Sequence, residues 1–170
     1  MADYLIKSTD KRTFTLLAGA AVLGELKYTE WFSFKAILAL TDGTSFRIEP
    51  RGFWGTTIEV KDEAQTVHLS FKMNWDGNIV LKSRLGGTNR AVVLKNRGLQ
   101  GGYVLLDKEG QELLTIQPDF KWNKANHDYA VVSSEQFDTY AAKEALVLTA
   151  IHCANYYMTM ASTIITTTII

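Results

Sequence analysis

The chain has little that could fix a covalent or metal framework. A single cysteine, Cys153, in 170 residues excludes an intrachain disulfide and any cysteine-based zinc cluster, and it fits a reducing compartment. Prolines number only two, and 46% of the residues are hydrophobic, which argues against disorder. Net charge is absent: 18 Lys and Arg balance 18 Asp and Glu, with a pI near 6.8. No global field therefore draws the chain to nucleic acid or an anionic membrane, although a local patch still can; nucleic acid is not an expected partner. The opening residues MADYLIKSTDKRTF lack the apolar stretch of a secretory signal, so the expected location is cytoplasmic. No linker-like or low-complexity stretch divides the sequence, and one domain over 1–170 is expected.

Catalytic signatures are missing as well. No Gly-x-Ser-x-Gly, Walker or dinucleotide-binding pattern occurs. His68, His127 and His152 stand at no metal-ligand spacing with another His, Cys or carboxylate, so no metal or other cofactor is expected. His152 and Cys153 are adjacent, and neighbours on a helix point about 100° apart, so they form no nucleophile–base pair. Cys153 reads as a small core residue and His152 as a satisfied buried histidine or a cavity contact. The expected role is non-enzymatic, with an enzyme acting at an unrecognised pocket as a third reading.

Alternation is what the sequence does have. Val67, Leu69, Phe71 and Met73 share one face of a seven-residue run, and Ser45–Glu49 and Thr57–Lys61 alternate similarly, the mark of a strand with one wet and one dry face. Turn signals at Asp42-Gly43, Asp76-Gly77, Gly86-Gly87, Gly101-Gly102 and Glu109-Gly110 separate the runs. About twelve strands result, near 4–8, 13–18, 21–29, 34–41, 44–49, 53–61, 65–73, 78–84, 90–96, 102–107, 111–117 and 127–133. Gly52, Gly55, Gly86, Gly87, Gly98, Gly101 and Gly102 read as turn and bulge residues.

The pattern changes near Ala141, and after Glu144 no charged residue occurs. Residues 145–170 form a charge-free stretch of 26 residues, about 39 Å long as a helix. Such a stretch belongs in a protein core or in a bilayer. His152, Asn155 and Thr149 weaken the bilayer reading, as do further Thr residues and the lack of flanking basic residues beyond Lys143. The β-branched run Thr163–Ile170 reads as poor helix and as a final extended segment. A helix over about 141–165, buried in the protein, is favoured; the alternative is a tail-anchored membrane protein carrying a β domain. A barrel of twelve strands is too wide for its own side chains to fill, and this helix is the element apolar enough to fill it. The expected fold is mainly β: an antiparallel closed barrel of about twelve strands enclosing a hydrophobic C-terminal α-helix.

This order of elements resembles the tubby C-terminal-like superfamily, with its LURP-one-related and phospholipid-scramblase branches. The residues that carry the resemblance are Tyr103–Ile116, a strand, Asp-x-x-Gly turn and strand; Phe120-Lys121-Trp122 and His127–Val131 as the next strands; and an earlier hairpin at Ile37–Gly43. The resemblance implies a barrel around a C-terminal helix, and a module that binds phosphoinositides or acts at membranes. The cysteine-rich palmitoylation segment associated with scramblases is missing, which counts against that branch.

Two candidate surfaces follow. No acidic residue lies between Asp76 and Asp107, whereas Lys82, Arg84, Arg90, Lys95 and Arg97 all do. With Ile79, Leu81 and Ser83 inward, Lys82 and Arg84 share the outer face; Lys95 and Arg97 pair likewise on the next strand, and Lys72 points outward on the one before. Lys72, Lys82, Arg84, Lys95 and Arg97 are the candidate anion-binding residues, and the ligand would be an anionic lipid headgroup or another phosphate-bearing group; peripheral membrane contact or a protein partner is the wider expectation. The competing reading of the same charges is a solvated face that discourages edge pairing. Trp31-Phe32, Phe53-Trp54, Trp75 and Trp122 form the second candidate surface, read chiefly as plugs for the barrel ends.

Overall fold

A computed structural model describes residues 1–30, 33–52, 56–74, 76–119 and 127–167, with side chains as far as Met160. Twelve strands run β1 Asp3–Ser8, β2 Thr13–Ala18, β3 Ala21–Glu30, β4 Lys35–Leu40, β5 Ser45–Pro50, β6 Thr57–Lys61, β7 Val67–Met73, β8 Ile79–Ser83, β9 Arg90–Asn96, β10 Tyr103–Leu106, β11 Glu112–Asp119 and β12 Asp128–Ser133. A short helix α1, Glu135–Asp138, and a long helix α2, Lys143–Thr167, follow. Each strand pairs antiparallel with its sequence neighbour, and β1 pairs with β12 through Asp3–Val132 and Ile6–Tyr129, which closes the barrel.

The alternation seen in sequence is the alternation of the wall. On β4, Ala36 and Leu38 are buried between exposed Lys35, Ile37 and Ala39; on β8, Ile79, Leu81 and Ser83 are buried around exposed Lys82. Because neighbouring strands run antiparallel all the way round, the connections alternate between the two barrel ends. The β2–β3, β4–β5, β6–β7, β8–β9 and β10–β11 connections share one end with the N-terminus and α1, where α2 enters. The β1–β2, β3–β4, β5–β6, β7–β8, β9–β10 and β11–β12 connections share the other, the exit end.

Helix α2 fills the interior. Ala145–Asn155 is buried throughout, and its neighbours come from all sides of the wall. Leu148 lies under Gly24 of β3, where an added Cβ would meet its Cδ1 at 3.2 Å; His152 touches the rings of Tyr28 on β3 and Phe71 on β7; Tyr157 meets Tyr103 on β10. Burial then fades: Tyr156–Thr159 are half-buried and Met160 is 41% exposed. The buried-helix reading thus holds for the first half of the apolar tail. The extended segment expected from Thr163 does not form, since α2 remains helical to Thr167. A β-branched residue costs only about half a kcal/mol in a helix, less than propagation from an established helix returns.

Two polar sites interrupt the apolar interior. Asn155 accepts a hydrogen bond from the Tyr129 hydroxyl at 2.5 Å and donates from Nδ2 to the Tyr28 hydroxyl at 3.1 Å, so α2 is pinned to β12 and β3 at once. Burial raises the pKa of both tyrosines, which keeps them neutral donors and acceptors. His152 is fully buried, stacked on Tyr28 at 5.2 Å and edge-on to Phe71 at 5.6 Å. Of the two expectations for it, a satisfied buried histidine or a cavity contact, the first does not hold: among the described residues neither ring nitrogen has a hydrogen-bond partner, and desolvation lowers its pKa to about 3. Cys153 is a buried core residue as expected, and burial pushes its thiol pKa up.

Two outcomes are expected. Asn155→Ala removes two buried hydrogen bonds, to Tyr129 and Tyr28, and should lower stability by about 1–3 kcal/mol, read from urea unfolding at neutral pH. A histidine whose folded pKa lies below its unfolded 6.5 favours the native state fully only above pH 6.5. That contribution is lost as pH falls toward 3, at a slope approaching ~1.4 kcal/mol per pH unit. His152→Phe should therefore flatten the stability profile between pH 6.5 and 4.5, where carboxylates with lowered pKa values such as Asp62 and Asp107 do not yet titrate; an unchanged slope would refute this account of His152.

Candidate functional site

The pairing register decides which candidate cations meet. Lys82 stands opposite Ser70 of β7 and Ala91 of β9, and Ser70 stands opposite Glu59 of β6. These outward positions floor a groove of about 610 Å³ on the barrel wall, bounded also by Arg51, His68, Arg84, Asn89 and Arg90. Lys82 and Arg84 are exposed and enter no ion pair among the described residues. Lys95 lies four residues beyond Ala91, roughly 13 Å farther along the sheet at 3.3 Å per residue; it and exposed Lys72 stand outside the groove. Arg97 is bound to Glu112 at 2.8 Å. Two of the five candidates, Lys82 and Arg84, thus share the groove, and three do not.

Sequence reasoning missed the other cations here. Arg51 reaches the groove from the end of β5, with its Nε 3.7 Å from Glu59. Arg90 opens β9 with its guanidinium 3.8 Å over the Tyr140 ring, a cation–π contact that fixes the side chain without neutralising it. Nothing in the sequence brings Arg51 toward Lys82, because two strands, β6 and β7, lie between them along the chain and only the pairing register across the wall makes them neighbours.

The groove has one carboxylate on its floor, Glu59, and its charge is met. Lys61 lies 3.0 Å from Glu59 and 3.2 Å from Glu49, and the hydrogen bond to Glu59, outweighing partial desolvation, raises the Lys61 pKa. At the rim His68 Nε2 contacts Asp62 Oδ2 at 2.7 Å, the chief reason the Asp62 pKa is lowered. Among the described residues no hydrogen bond joins His68 to Ser70, so the Asp62–His68 pair is not extended to a hydroxyl nucleophile. With Lys82 and Arg84 unpaired, the groove can hold an anion through charge-assisted hydrogen bonds.

The upper wall is held by a tight link to α2. Ser83 is buried, and its hydroxyl accepts the Leu85 N–H at 3.2 Å; Arg84 N–H donates to the His68 carbonyl at 2.7 Å. Gly86 follows with φ +66°, and a Cβ there would stand 2.5 Å from the Cβ of Ala141, just before α2. The groove and the helix entry thus share a contact only glycine fits.

Among the described residues no group of three or more His, Cys, Asp or Glu could hold a metal ion, and no helix is long and apolar enough to cross a membrane. Trp31-Phe32, Phe53-Trp54, Trp75 and Trp122 lie outside the described residues, as do Gly55 and the Phe120-Lys121-Trp122 segment of the family resemblance.

The fold and groove define a closed twelve-stranded barrel filled by its own C-terminal helix. The chain matches no protein-family profile and no curated protein sequence. A crystal structure of a protein from Arabidopsis thaliana is similar in fold, with a TM-score of 0.53, 13% identity and 88% of each chain covered.

Gly86→Ala is expected to cost about 1–3 kcal/mol, combining the positive φ with the overlap at Ala141. Thermal unfolding of the variant should show a lower midpoint, and Gly86→Ala with Ala141→Gly should recover the steric part alone.

Proposed function

We propose that the protein is a binding module whose wall groove holds a phosphate-bearing anion, as a lipid headgroup or a free phosphate compound. The observation that carries this reading is the pair of unpaired cations Lys82 and Arg84 in a groove whose carboxylate is already met by Arg51 and Lys61. The resemblance to tubby-like barrels, which bind phosphoinositides, supports the same chemistry, and the fold likeness to the Arabidopsis protein supports the architecture alone.

The tail-anchored alternative has less chain to work with. Residues 145–155 are buried inside the barrel, so they are not available to a bilayer span. A reading as an enzyme would need a nucleophile or acid–base pair in the groove, and Asp62–His68 offers at most a base.

The test is titration of the full chain with inorganic phosphate, with a soluble inositol trisphosphate, and with phosphatidylcholine vesicles carrying a phosphatidylinositol bisphosphate. Lys82→Ala/Arg84→Ala should weaken binding roughly tenfold or more, the loss of two charge-assisted contacts, whereas Lys72→Ala and Lys95→Ala should leave it unchanged. Competition by the inositol phosphate but not by inorganic phosphate identifies a headgroup; equal competition identifies a free phosphate. Undiminished binding by the Lys82/Arg84 variant would overturn the proposal.

A further inference from the structure

One side chain lining the groove changes what it offers an anion when it takes up a proton: His68. In the pairing of β6 with β7, Val60 stands opposite Leu69 and Lys61 opposite Val67, so His68 is the extra residue of a β-bulge. A bulge re-aims a side chain and recurs beside binding sites. Here the ring is held on two sides. Nε2 lies 2.7 Å from Asp62 Oδ2, and the Phe46 ring of β5 packs edge-on at 5.4 Å. On the other flank the Arg84 N–H donates to the His68 carbonyl at 2.7 Å, which sets His68 and Arg84 side by side on the groove wall. The second ring nitrogen, Nδ1, has no hydrogen-bond partner among the described residues and is not a buried atom; the side chain is 30% exposed.

Asp62 decides what each state of the ring presents. Its pKa is lowered, chiefly by the hydrogen bond to His68, so it stays ionised and accepts from an Nε2 that carries a proton. In the neutral ring Nδ1 then has no proton. It offers an anion only a lone pair, beside an Asp62 charge that is not balanced. Protonation balances Asp62 and turns Nδ1 into a charged donor next to Arg84. The other groups around the ring are of both signs. Glu63, next to Asp62 in the β6–β7 connection, and Glu59 on β6 favour the imidazolium. Lys61 on β6, Arg47 opposite it on β5, Lys82 on β8 and Arg84 just after it oppose it. Of these cations Lys61 is already engaged by Glu59 and Glu49, and an anion bound on Lys82 and Arg84 offsets theirs.

We propose that His68, once protonated, is the third cationic ligand of the groove anion, so that the groove holds its anion more tightly in mildly acidic than in alkaline solution; this rests on the groove being an anion site. Imidazole is the side chain whose charge changes between about pH 5 and 8. The coupling is reciprocal: an anion that prefers the imidazolium draws a proton onto the protein as it binds.

Calorimetric titration of the full chain with sodium sulfate, at constant ionic strength, tests it. Sulfate keeps its charge across this pH range, whereas a phosphate group titrates near pH 6. Affinity is expected to be roughly tenfold higher at pH 5.5 than at pH 8, the effect of one added charge-assisted contact. Near pH 6.5 the heat should also vary with the ionisation heat of the buffer, which reports the proton taken up. His68→Gln should lose the rise in affinity at pH 5.5. Asp62→Asn should move that rise to lower pH, because a carboxylate partner favours the imidazolium. Thermal unfolding at both pH values reports whether each variant keeps the barrel. Sulfate binding undiminished in Lys82→Ala/Arg84→Ala would overturn the anion groove and this role of His68 with it. Binding that needs Lys82 and Arg84 but is equal at pH 5.5 and 8, or a pH dependence that persists in His68→Gln, would overturn the role of His68 alone.

Discussion

A wall of twelve strands encloses more space than its own side chains can fill, and the rest of the structure follows from filling it. The filler must be apolar on every side, because every face of it meets the wall, and Ala145–Asn155 meets that demand with Ala, Leu, Val, Ile and Cys in nearly every position. The filler must also be of the right width. Gly24 lets Leu148 come close to β3, and an added Cβ there would meet Leu40 at 2.9 Å and the Ala39 carbonyl at 2.8 Å. Strands and helix share one continuous core, so neither is a finished unit without the other.

An apolar plug in a greasy tube has no preferred register, and the polar groups supply one. Asn155 meets Tyr28 and Tyr129 where they approach from β3 and β12; a shift of the helix by one turn would break both buried hydrogen bonds at once. His152 lies one turn before Asn155 and is stacked rather than bonded. It thus stores a dependence on pH inside the element that holds the barrel together.

With the interior given to the helix, recognition is left to the outside, and there the meander sorts charge. Register across β5 to β9 gathers Arg51, Lys82 and Arg84 along one groove. This gathering is not visible in the net charge of the chain. It comes from a topology in which residues far apart in sequence are placed side by side at strand spacing.

Much of this was legible in the sequence. Period-two runs such as Val67–Met73 can bury only one face, so each strand and its inward residues could be read directly, and the tail at 145–170 had to be buried somewhere because it carries no charge. Lys82 and Arg84 were legible as outward neighbours for the same reason. What the sequence could not show depends on contacts between strands. The separation of Lys72, Lys95 and Arg97 from the groove, the arrival of Arg51 and Arg90 in it, and the helical fate of Thr163–Thr167 all turn on register, strand pairing and helix propagation. Local alternation determines which way a residue faces; only the closed sheet decides which residue it faces beside, because hydrogen-bonded register across strands is a property of the whole wall.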